Sequence, residues 1–266
     1  MKSVHRVRYV ALDMDGVLKI GDTPVLGADE TVKELILRGY KLMIVTNECR
    51  WTPDQLSEKL RFMGLPICAA LPIYTAGMAA KDYMLQRSLR VTKRNIFGAT
   101  GLHEVLNNVV TTCDDDSNVI VIGTHGTEDA IPAINTKTAT KIIVTCSDLL
   151  DPSTTTLKMP LQILAEQPEQ HEPLITKIIS VGKPHSTVID AIIRHFNVDQ
   201  RSEVLFIGDT LYTDILLARR AGFQSALVLT GNTSVADMLK APDDQQPHMV
   251  LSSVNDVLFM LKRPSL

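Results

Sequence analysis

The sequence predicts an α/β fold with a parallel central sheet. Short apolar runs alternate with amphipathic helical segments in residues 1–72 and again in residues 177–266. Helices between short buried strands imply the crossover connections that parallel strands require. The intervening residues 73–176 differ in composition, with Pro-, Thr- and Gln-rich stretches and an acidic triplet. We therefore expect a Rossmann-like, doubly wound parallel sheet core, formed by the two outer parts, with a smaller α/β domain inserted between them.

The N-terminal elements follow from apolar runs and helix signals. Residues 7–12 form a short apolar run that ends before an acid, as buried strands do, and residues 41–45 form a second such run. Between them, residues 29–38 place three aliphatic side chains on one helical face before the stop signal Gly39. The next helix is expected to start at Pro53, because proline suits the first helical position.

The remaining elements are predicted in the same way. In the inserted part, we expect strands at 119–122 and 141–145 and helices at 76–86 and 101–106. In the C-terminal part, we expect a helix at 186–196, a strand at 204–207, a helix at 212–221, a strand at 225–229, and a closing strand and helix within 250–261.

Charge and composition argue against several protein classes. The 27 Lys and Arg residues against 30 Asp and Glu residues give a net charge of −3, unlike a generally basic nucleic-acid binder. We therefore expect no nucleic-acid partner. No uncharged apolar run approaches the roughly 20 residues of a membrane span, so we expect no membrane partner either. The four cysteines include no C-x-x-C pair, which fits reduced thiols and predicts a cytoplasmic location.

Four polar segments follow predicted strands, the third of them after the short apolar run 178–181. They therefore lie at carboxyl ends of strands, where open α/β sheets bind their ligands. In chain order they are Asp13-Met14-Asp15-Gly16, Thr46-Asn47, Gly182-Lys183-Pro184 and Gly208-Asp209-Thr210-Leu211-Tyr212-Thr213-Asp214.

The first two segments carry groups suited to phosphate chemistry. Asp13 and Asp15, two residues apart around a turn, can supply a nucleophile and a general acid or base. The Thr46 hydroxyl and the Asn47 amide can donate hydrogen bonds to a phosphate oxygen. Taken alone, both segments also fit ordinary turns at strand ends.

The last two segments carry a cation and a pair of acids. Lys183, held between Gly and Pro, can neutralise a phosphate, although a surface lysine is the simpler interpretation of this segment alone. Asp209 and Asp214 can converge on Mg²⁺, which prefers oxygen ligands. The alternative for this pair is that both acids stabilise a helix N-terminus.

Together, the four segments resemble the four signature motifs of the haloacid dehalogenase superfamily of aspartate-nucleophile hydrolases. The long insert between Thr46 and Lys183 is similar to that of one subgroup. This subgroup contains 4-nitrophenyl phosphatases, nucleotide phosphatases, phosphoglycolate phosphatases and pyridoxal phosphate phosphatases. Residues 73–78 and 96–102 are similar to its sequences at the entry to the inserted cap domain.

The resemblance implies Mg²⁺-dependent hydrolysis of a small phosphorylated metabolite through an aspartyl phosphate. It implies that Asp13 attacks phosphorus and that Asp15 transfers protons. The implied phosphate-binding residues are Thr46, Asn47 and Lys183, and the implied metal ligands are Asp13, Asp15 through its carbonyl, Asp209 and Asp214. Residues 73–176 are then the cap, which selects the substrate, and a homodimer through this cap is a further expectation.

Three features depart from the pattern of the subgroup. Glu48 stands where a second Asn is usual, and a carboxylate there is expected to repel a phosphate or to select a cationic substrate. Cys146 replaces the Asn of a Thr-Asn-x-Asp loop in the cap, and residues 151–170 replace a Gly-rich segment. Asp148 keeps the acidic position of that loop and is the candidate specificity contact.

Two other functions stay open at this stage. A phospho-accepting signalling domain would also combine a sheet, acids, a Thr and a Lys, and a catalytically idle binding protein could use the same fold. Asp15 argues against the first, because an acid beside the acceptor promotes hydrolysis, and against a dehalogenase, since family dehalogenases lack it. The complete set of motif residues argues against the second.

Asp148→Ala tests the specificity assignment. Loss of a polar contact to the leaving group costs about 1–3 kcal/mol, or roughly tenfold to a hundredfold in kcat/KM. We expect that loss on the natural substrate, identified from a set of phosphorylated metabolites, and almost none on a small aryl phosphate. Equal losses on both substrates, with a lower Tm, would instead show that Asp148 only caps a turn.

Overall fold

The computed structural model describes residues 7–112, 119–124, 141–145 and 178–261 of the chain. The strands in chain order are β1 (Tyr9–Leu12), β2 (Lys19–Ile20), β3 (Thr23–Pro24), β4 (Lys41–Thr46), β5 (Ile73–Thr75), β6 (Val91–Thr92), β7 (Ile96–Phe97), β8 (Val110–Thr111), β9 (Val119–Ile122), β10 (Lys141–Val144), β11 (Ile178–Ser180), β12 (Val204–Gly208), β13 (Gln224–Val228) and β14 (Met249–Leu251). The α-helices are Ala28–Leu37, Pro53–Phe62, Ala76–Gln86, Thr100–Leu106, Ser186–Phe196, Leu216–Ala221, Val235–Lys240 and Val257–Met260. Cys146 and Asp148 lie outside the described residues.

A six-stranded sheet has the order β14-β13-β12-β1-β4-β5. β1 pairs in parallel with both β12 and β4, and β13 and β14 continue the parallel pairing beyond β12. Numbered along the chain within this sheet, the strands lie in the order 3-2-1-4-5-6, which is that of a doubly wound Rossmann sheet. The predicted fold class is therefore confirmed.

The centre of this sheet is where a ligand is expected to bind. All four residues of β1 are buried, as expected for a parallel strand that is covered on both faces. The strand order reverses between β1 and β12, and open α/β sheets bind ligands in the crevice outside the carboxyl ends at such a reversal. Asp13 directly follows β1 and Asp209 directly follows β12, so both stand at this point.

The chain divides into two units. The first comprises Met1–Thr46, Pro53–Tyr74 and Ile189–Leu266, and the second comprises Asn47–Thr52 and Thr75–Val188. The second unit has its own four-stranded parallel sheet, in the order β11-β10-β9-β7. The apolar core of this sheet contains the buried side chains of Ile120, Ile122, Ile142 and Val144.

The helix predicted at 212–221 begins differently from the expectation. Leu211–Ile215 form a π-helical turn, and the α-helix covers only Leu216–Ala221. The main-chain N–H groups of Asp214 and of the residue after it both donate to the Thr210 carbonyl, at 3.0 and 3.2 Å. Isolated π-helical turns frequently occur at functional sites, and this one carries a predicted metal ligand.

The helices are short. The longest in the described part of the chain have 11 residues, whereas a membrane-spanning helix needs about 20. Within that part, no helix has the length and the apolar composition to cross a bilayer.

One carboxylate ties the helix Ala28–Leu37 to the loop after the following helix. Asp29 lies in the first turn of its helix, and its Oδ1 accepts hydrogen bonds from the main-chain N–H groups of Ile67 and Cys68, both at 2.9 Å. Burial and the adjacent Asp29 carboxylate raise the pKa of the Cys68 thiol, so this thiol stays protonated at neutral pH. The Asp29 carboxylate thus satisfies two donors of a 3₁₀ turn that buries Cys68.

Asp29→Ala should lower the free energy of unfolding by about 1–3 kcal/mol, because two main-chain donors lose a charged acceptor. Asp29→Asn keeps one acceptor oxygen and should lower it less. Urea unfolding followed by circular dichroism measures both variants. Glu30→Ala, which changes an exposed acid at the next position, is the control. Equal stability of Asp29→Ala and Glu30→Ala would contradict this role.

Candidate active site

Three carboxylates converge at the point where the strand order reverses. Oxygen atoms of Asp13, Asp209 and Asp214 all lie within 4.8 Å of one another. The three residues are 7%, 1% and 0% exposed. Burying like charges this close together is unfavourable unless a cation offsets them. The donor set contains only carboxylate oxygens, so it fits a hard cation such as Mg²⁺.

Main-chain donors hold the two C-terminal acids of this cluster. Asp214 Oδ2 accepts hydrogen bonds from the N–H groups of Asp209 and Thr210, both at 3.1 Å. Asp209 Oδ1 accepts a hydrogen bond from the Thr210 hydroxyl at 3.0 Å, and its Oδ2 accepts one from the Asn232 N–H at 2.7 Å. The Asp214 carboxylate therefore fixes the main chain of the loop that carries Asp209. Hydrogen bonds from Thr210 and Asn232 orient both carboxylate oxygens of Asp209.

Two glycines leave the space that the Asp209 carboxylate occupies. A Cβ atom at Gly16 would lie 2.4 Å from Asp209 Oδ2, and the φ angle of +75° at Gly16 also favours glycine. A Cβ atom at Gly231 would lie 2.0 Å from the same oxygen. Sequence analysis identified Gly16 as part of a motif, but it assigned no role to Gly231 or Asn232. Their position two and three residues after the strand predicted at 225–229 was the signal that could have found them.

The Asp15 side chain has a different environment from the three clustered acids. Its Oδ1 accepts a hydrogen bond from the Lys19 ammonium group, which also donates to the Gly21 carbonyl at 3.2 Å. Asp15 was expected to bind the metal through its main-chain carbonyl only, so a side chain outside the cluster is compatible with that expectation. Sequence analysis did not identify Lys19.

The predicted phosphate-binding residues fall in both units. Thr46 ends β4 in the first unit and is buried. Asn47 and Lys183 lie together in the second unit, where the Lys183 N–H donates to Asn47 Oδ1 at 2.7 Å and Asn47 Nδ2 donates to the Lys183 carbonyl at 3.3 Å. The amide of Asn47 therefore fixes the main chain of Lys183, and both residues are buried.

The Glu48 carboxylate is paired with donors of its own loop. It accepts hydrogen bonds from the main-chain N–H groups of Cys49 and Arg50, at 2.9 and 2.7 Å, and forms an ion pair with the Arg50 guanidinium group. A charge paired in this way repels an incoming phosphate much less than an isolated carboxylate does. The expectation that Glu48 disfavours phosphate or selects a cationic substrate thus loses its physical basis.

The next residue anchors this loop in the second unit. The Cys49 sulfur accepts hydrogen bonds from the Thr124 N–H at 3.5 Å and from the Thr145 hydroxyl at 3.3 Å. Thr124 and Thr145 follow β9 and β10, so the loop is held at the carboxyl ends of these strands. Burial raises the pKa of the Cys49 thiol, which gives it a structural rather than a reactive character.

Family models match most of the chain. Residues 10–137 match the model described as haloacid dehalogenase-like hydrolase, and residues 180–257 match the model described as HAD-hydrolase-like. The two matches contain all four motif segments. The chain belongs to the haloacid dehalogenase-like hydrolases.

Individual relatives place the chain among the phosphatases of this family. It is 24% identical to phosphoglycolate phosphatase 2 of Arabidopsis thaliana, over 95% of this chain and 92% of the relative. It is 25% identical to the 5′-nucleotidase YutF of Bacillus subtilis, over 92% and 95% of the two chains. These names indicate that the chain is an enzyme of the phosphatase class.

Solved structures share its fold. A 4-nitrophenylphosphatase from Thermotoga maritima superposes with a TM-score of 0.80 at 24% identity, over 96% of this chain and 97% of the other. A glycerol phosphate phosphatase from Mycobacterium tuberculosis in complex with magnesium superposes with a TM-score of 0.79 at 20% identity, over 99% and 80%.

The acid cluster should bind Mg²⁺, and Asp209→Asn should weaken that binding by at least roughly tenfold. Mg²⁺ that binds only the folded state raises Tm, so titration calorimetry and the Mg²⁺-dependent shift of Tm both measure the effect. Asp244→Asn removes an exposed acid outside the cluster and should leave the affinity unchanged. Equal Mg²⁺ affinity in the two variants would contradict the assignment of the cluster as a metal site.

Proposed function

We propose that the protein hydrolyses a small phosphorylated metabolite with Mg²⁺ through an aspartyl phosphate on Asp13. The observation that carries the proposal is the position of Asp13, which follows the central strand β1 and shares a buried oxygen cluster with Asp209 and Asp214. A carboxylate at the reversal of strand order lies where ligands enter an open α/β sheet. The family match supports this assignment of the nucleophile.

Two carboxylates carry out the covalent chemistry in this proposal. Asp13 attacks phosphorus in line, which forms an acyl phosphate and breaks the bond to the leaving oxygen. Asp15 gives its proton to that oxygen and becomes a carboxylate. It then removes a proton from the water that attacks the aspartyl phosphate, so inorganic phosphate leaves and both acids return to their initial states.

Other residues bind the phosphoryl group and the metal ion, or fix the position of the residues that do so. Thr46 and Lys183 bind the phosphoryl oxygens, and Asn47 supports them by fixing the main chain of Lys183. The metal ligands are Asp13, the Asp15 carbonyl and Asp209, and Asp214 braces Asp209. When bound, Mg²⁺ offsets the negative charge of the transferring group.

Substrate choice is assigned to the inserted residues 73–176, which we propose as the cap. All four motif segments lie outside this range. Relatives with similar coverage are named for different substrates, phosphoglycolate in one case and 5′-nucleotides in another, so the proposal stays at a small phosphomonoester. The cytoplasmic location and the homodimer through the cap stay predictions.

Asp13→Asn should abolish turnover while the fold stays intact. The amide is a poor nucleophile, so the covalent route is lost and the rate should fall by several orders of magnitude. Hydrolysis of 4-nitrophenyl phosphate with and without Mg²⁺ measures turnover, and circular dichroism measures folding. Asp22→Asn changes an exposed acid of the nearby hairpin and is the control. Normal turnover in a folded Asp13→Asn protein would falsify the proposal.

Acid quenching separates the two rival functions. Wild-type protein mixed with a radiolabelled aryl phosphate should carry label transiently on Asp13, and Asp13→Asn should carry none. A wild-type protein that keeps the label without turning over would instead be a phospho-accepting signalling domain. A protein that binds phosphate but shows neither label nor turnover would be a binding protein.

A further inference from the structure

The main chain fixes Lys19 close to the motif that contains Asp15. The Lys19 N–H donates to the Met14 carbonyl at 3.2 Å, and the Lys19 carbonyl accepts from the Gly16 N–H at 2.7 Å. Beyond this turn, the strand Lys19–Ile20 pairs in antiparallel register with Thr23–Pro24. The Cα atom of Lys19 is therefore held from both sides, by the motif before it and by the hairpin that follows.

The Lys19 side chain is held at its charged end as well. Its ammonium group donates to Asp15 Oδ1 and, at 3.2 Å, to the Gly21 carbonyl. The side chains of Lys19 and Asp15 are only 14% and 32% exposed, so the attraction between them is screened less than in an open surface pair. Two acceptors and a partly buried location give the ammonium group one preferred orientation.

Through this ion pair, the Asp15 side chain has a different environment from the three clustered acids. Asp13 is only two residues away and shares its oxygen cluster with Asp209 and Asp214. A mobile Asp15 carboxylate could rotate to bind the same cation, where it would be lost for proton transfer. Lys19 supplies a competing positive charge at Oδ1 of the Asp15 carboxyl group.

We propose that Lys19 is a positioning residue that orients Asp15 toward the leaving oxygen of the substrate; this inference rests on the proposed function. Proton transfer needs the two oxygens about 2.6–3.2 Å apart. A displacement of about 1 Å can cost roughly a hundredfold in rate. The ammonium group therefore acts on the reaction through the orientation of Asp15 and takes no part in bond making.

The test uses two substrates that differ in their need for a proton. 4-Nitrophenolate leaves without protonation, whereas the benzyl alkoxide of benzyl phosphate needs it. Lys19→Met, which keeps the length of the stem but removes the charge, should lower kcat/KM for benzyl phosphate by roughly 10–100-fold. It should leave kcat/KM for 4-nitrophenyl phosphate nearly unchanged. Lys19→Arg restores a charged donor and should recover most of the loss.

A double-mutant cycle shows whether Lys19 acts through Asp15. In an Asp15→Asn protein, the further change Lys19→Met should have no additional effect on benzyl phosphate, because the group that it orients is already gone. Lys33→Met removes an exposed lysine from the helix Ala28–Leu37 and is the matched control. Tm is measured for every variant, so a folding defect is seen separately from a loss of activity.

The possible outcomes decide between the two proposals. A Lys19→Met protein that behaves as Lys33→Met, in a wild-type background that hydrolyses both substrates, overturns the role of Lys19 and leaves the proposed function standing. An equal loss on both substrates, with a lower Tm, also overturns it, since that pattern indicates a structural ion pair. A wild-type protein that hydrolyses neither substrate with Mg²⁺ overturns the proposed function and this inference together.

Discussion

The repulsion among three buried carboxylates is the constraint on which the rest of the site depends. Asp13 enters the cluster from β1, and Asp209 and Asp214 enter it from the segment after β12. Their approach is possible because β1 and β12 are hydrogen-bonded neighbours, which brings distant parts of the sequence to one edge. Main-chain N–H groups of Asp209, Thr210 and Asn232 donate hydrogen bonds to the carboxylates of this cluster, and two glycines provide the space. The sheet order, the π-helical turn and the glycines can all be understood as ways to hold negative charge where a cation is needed.

The sequence predicted the fold well because its signals are local. Apolar runs marked five of the six strands of the large sheet within one or two residues, whereas β5 was not predicted. The helix Ala76–Gln86 was predicted at its observed bounds. The helix predicted at 212–221 begins with a π-helical turn at Leu211–Ile215, which the sequence did not predict. Asp214 binds the N–H groups of the loop before it and so stabilises a wider π-helical turn than helix propensity alone would form.

The residues of the site could be predicted where they belong to short sequence motifs. They could be predicted less well where their role depends on a contact with another side chain. The convergence of Asp13, Asp209 and Asp214 was expected from the resemblance to the family motifs, which follow predicted strands. Lys19 escaped notice because a lysine after a turn has no distinctive pattern until a hairpin directs it back to Asp15. The pairing of Glu48 with Arg50 was hidden for a similar reason, because the residue type alone indicated a repulsive charge.

The hydrogen bonds between Asn47 and Lys183 join two residues that are 136 positions apart in the sequence. The whole insert 73–176 lies between them, so the chain before it and the chain after it are joined by two hydrogen bonds between the buried Asn47 side chain and the Lys183 main chain. Closing a longer loop costs only about 0.6 kcal/mol for each doubling of its length. A change in the length of a flexible loop within this insert therefore costs little closure entropy at this contact. The two hydrogen bonds therefore hold the lysine in a position that does not depend on the length of such loops.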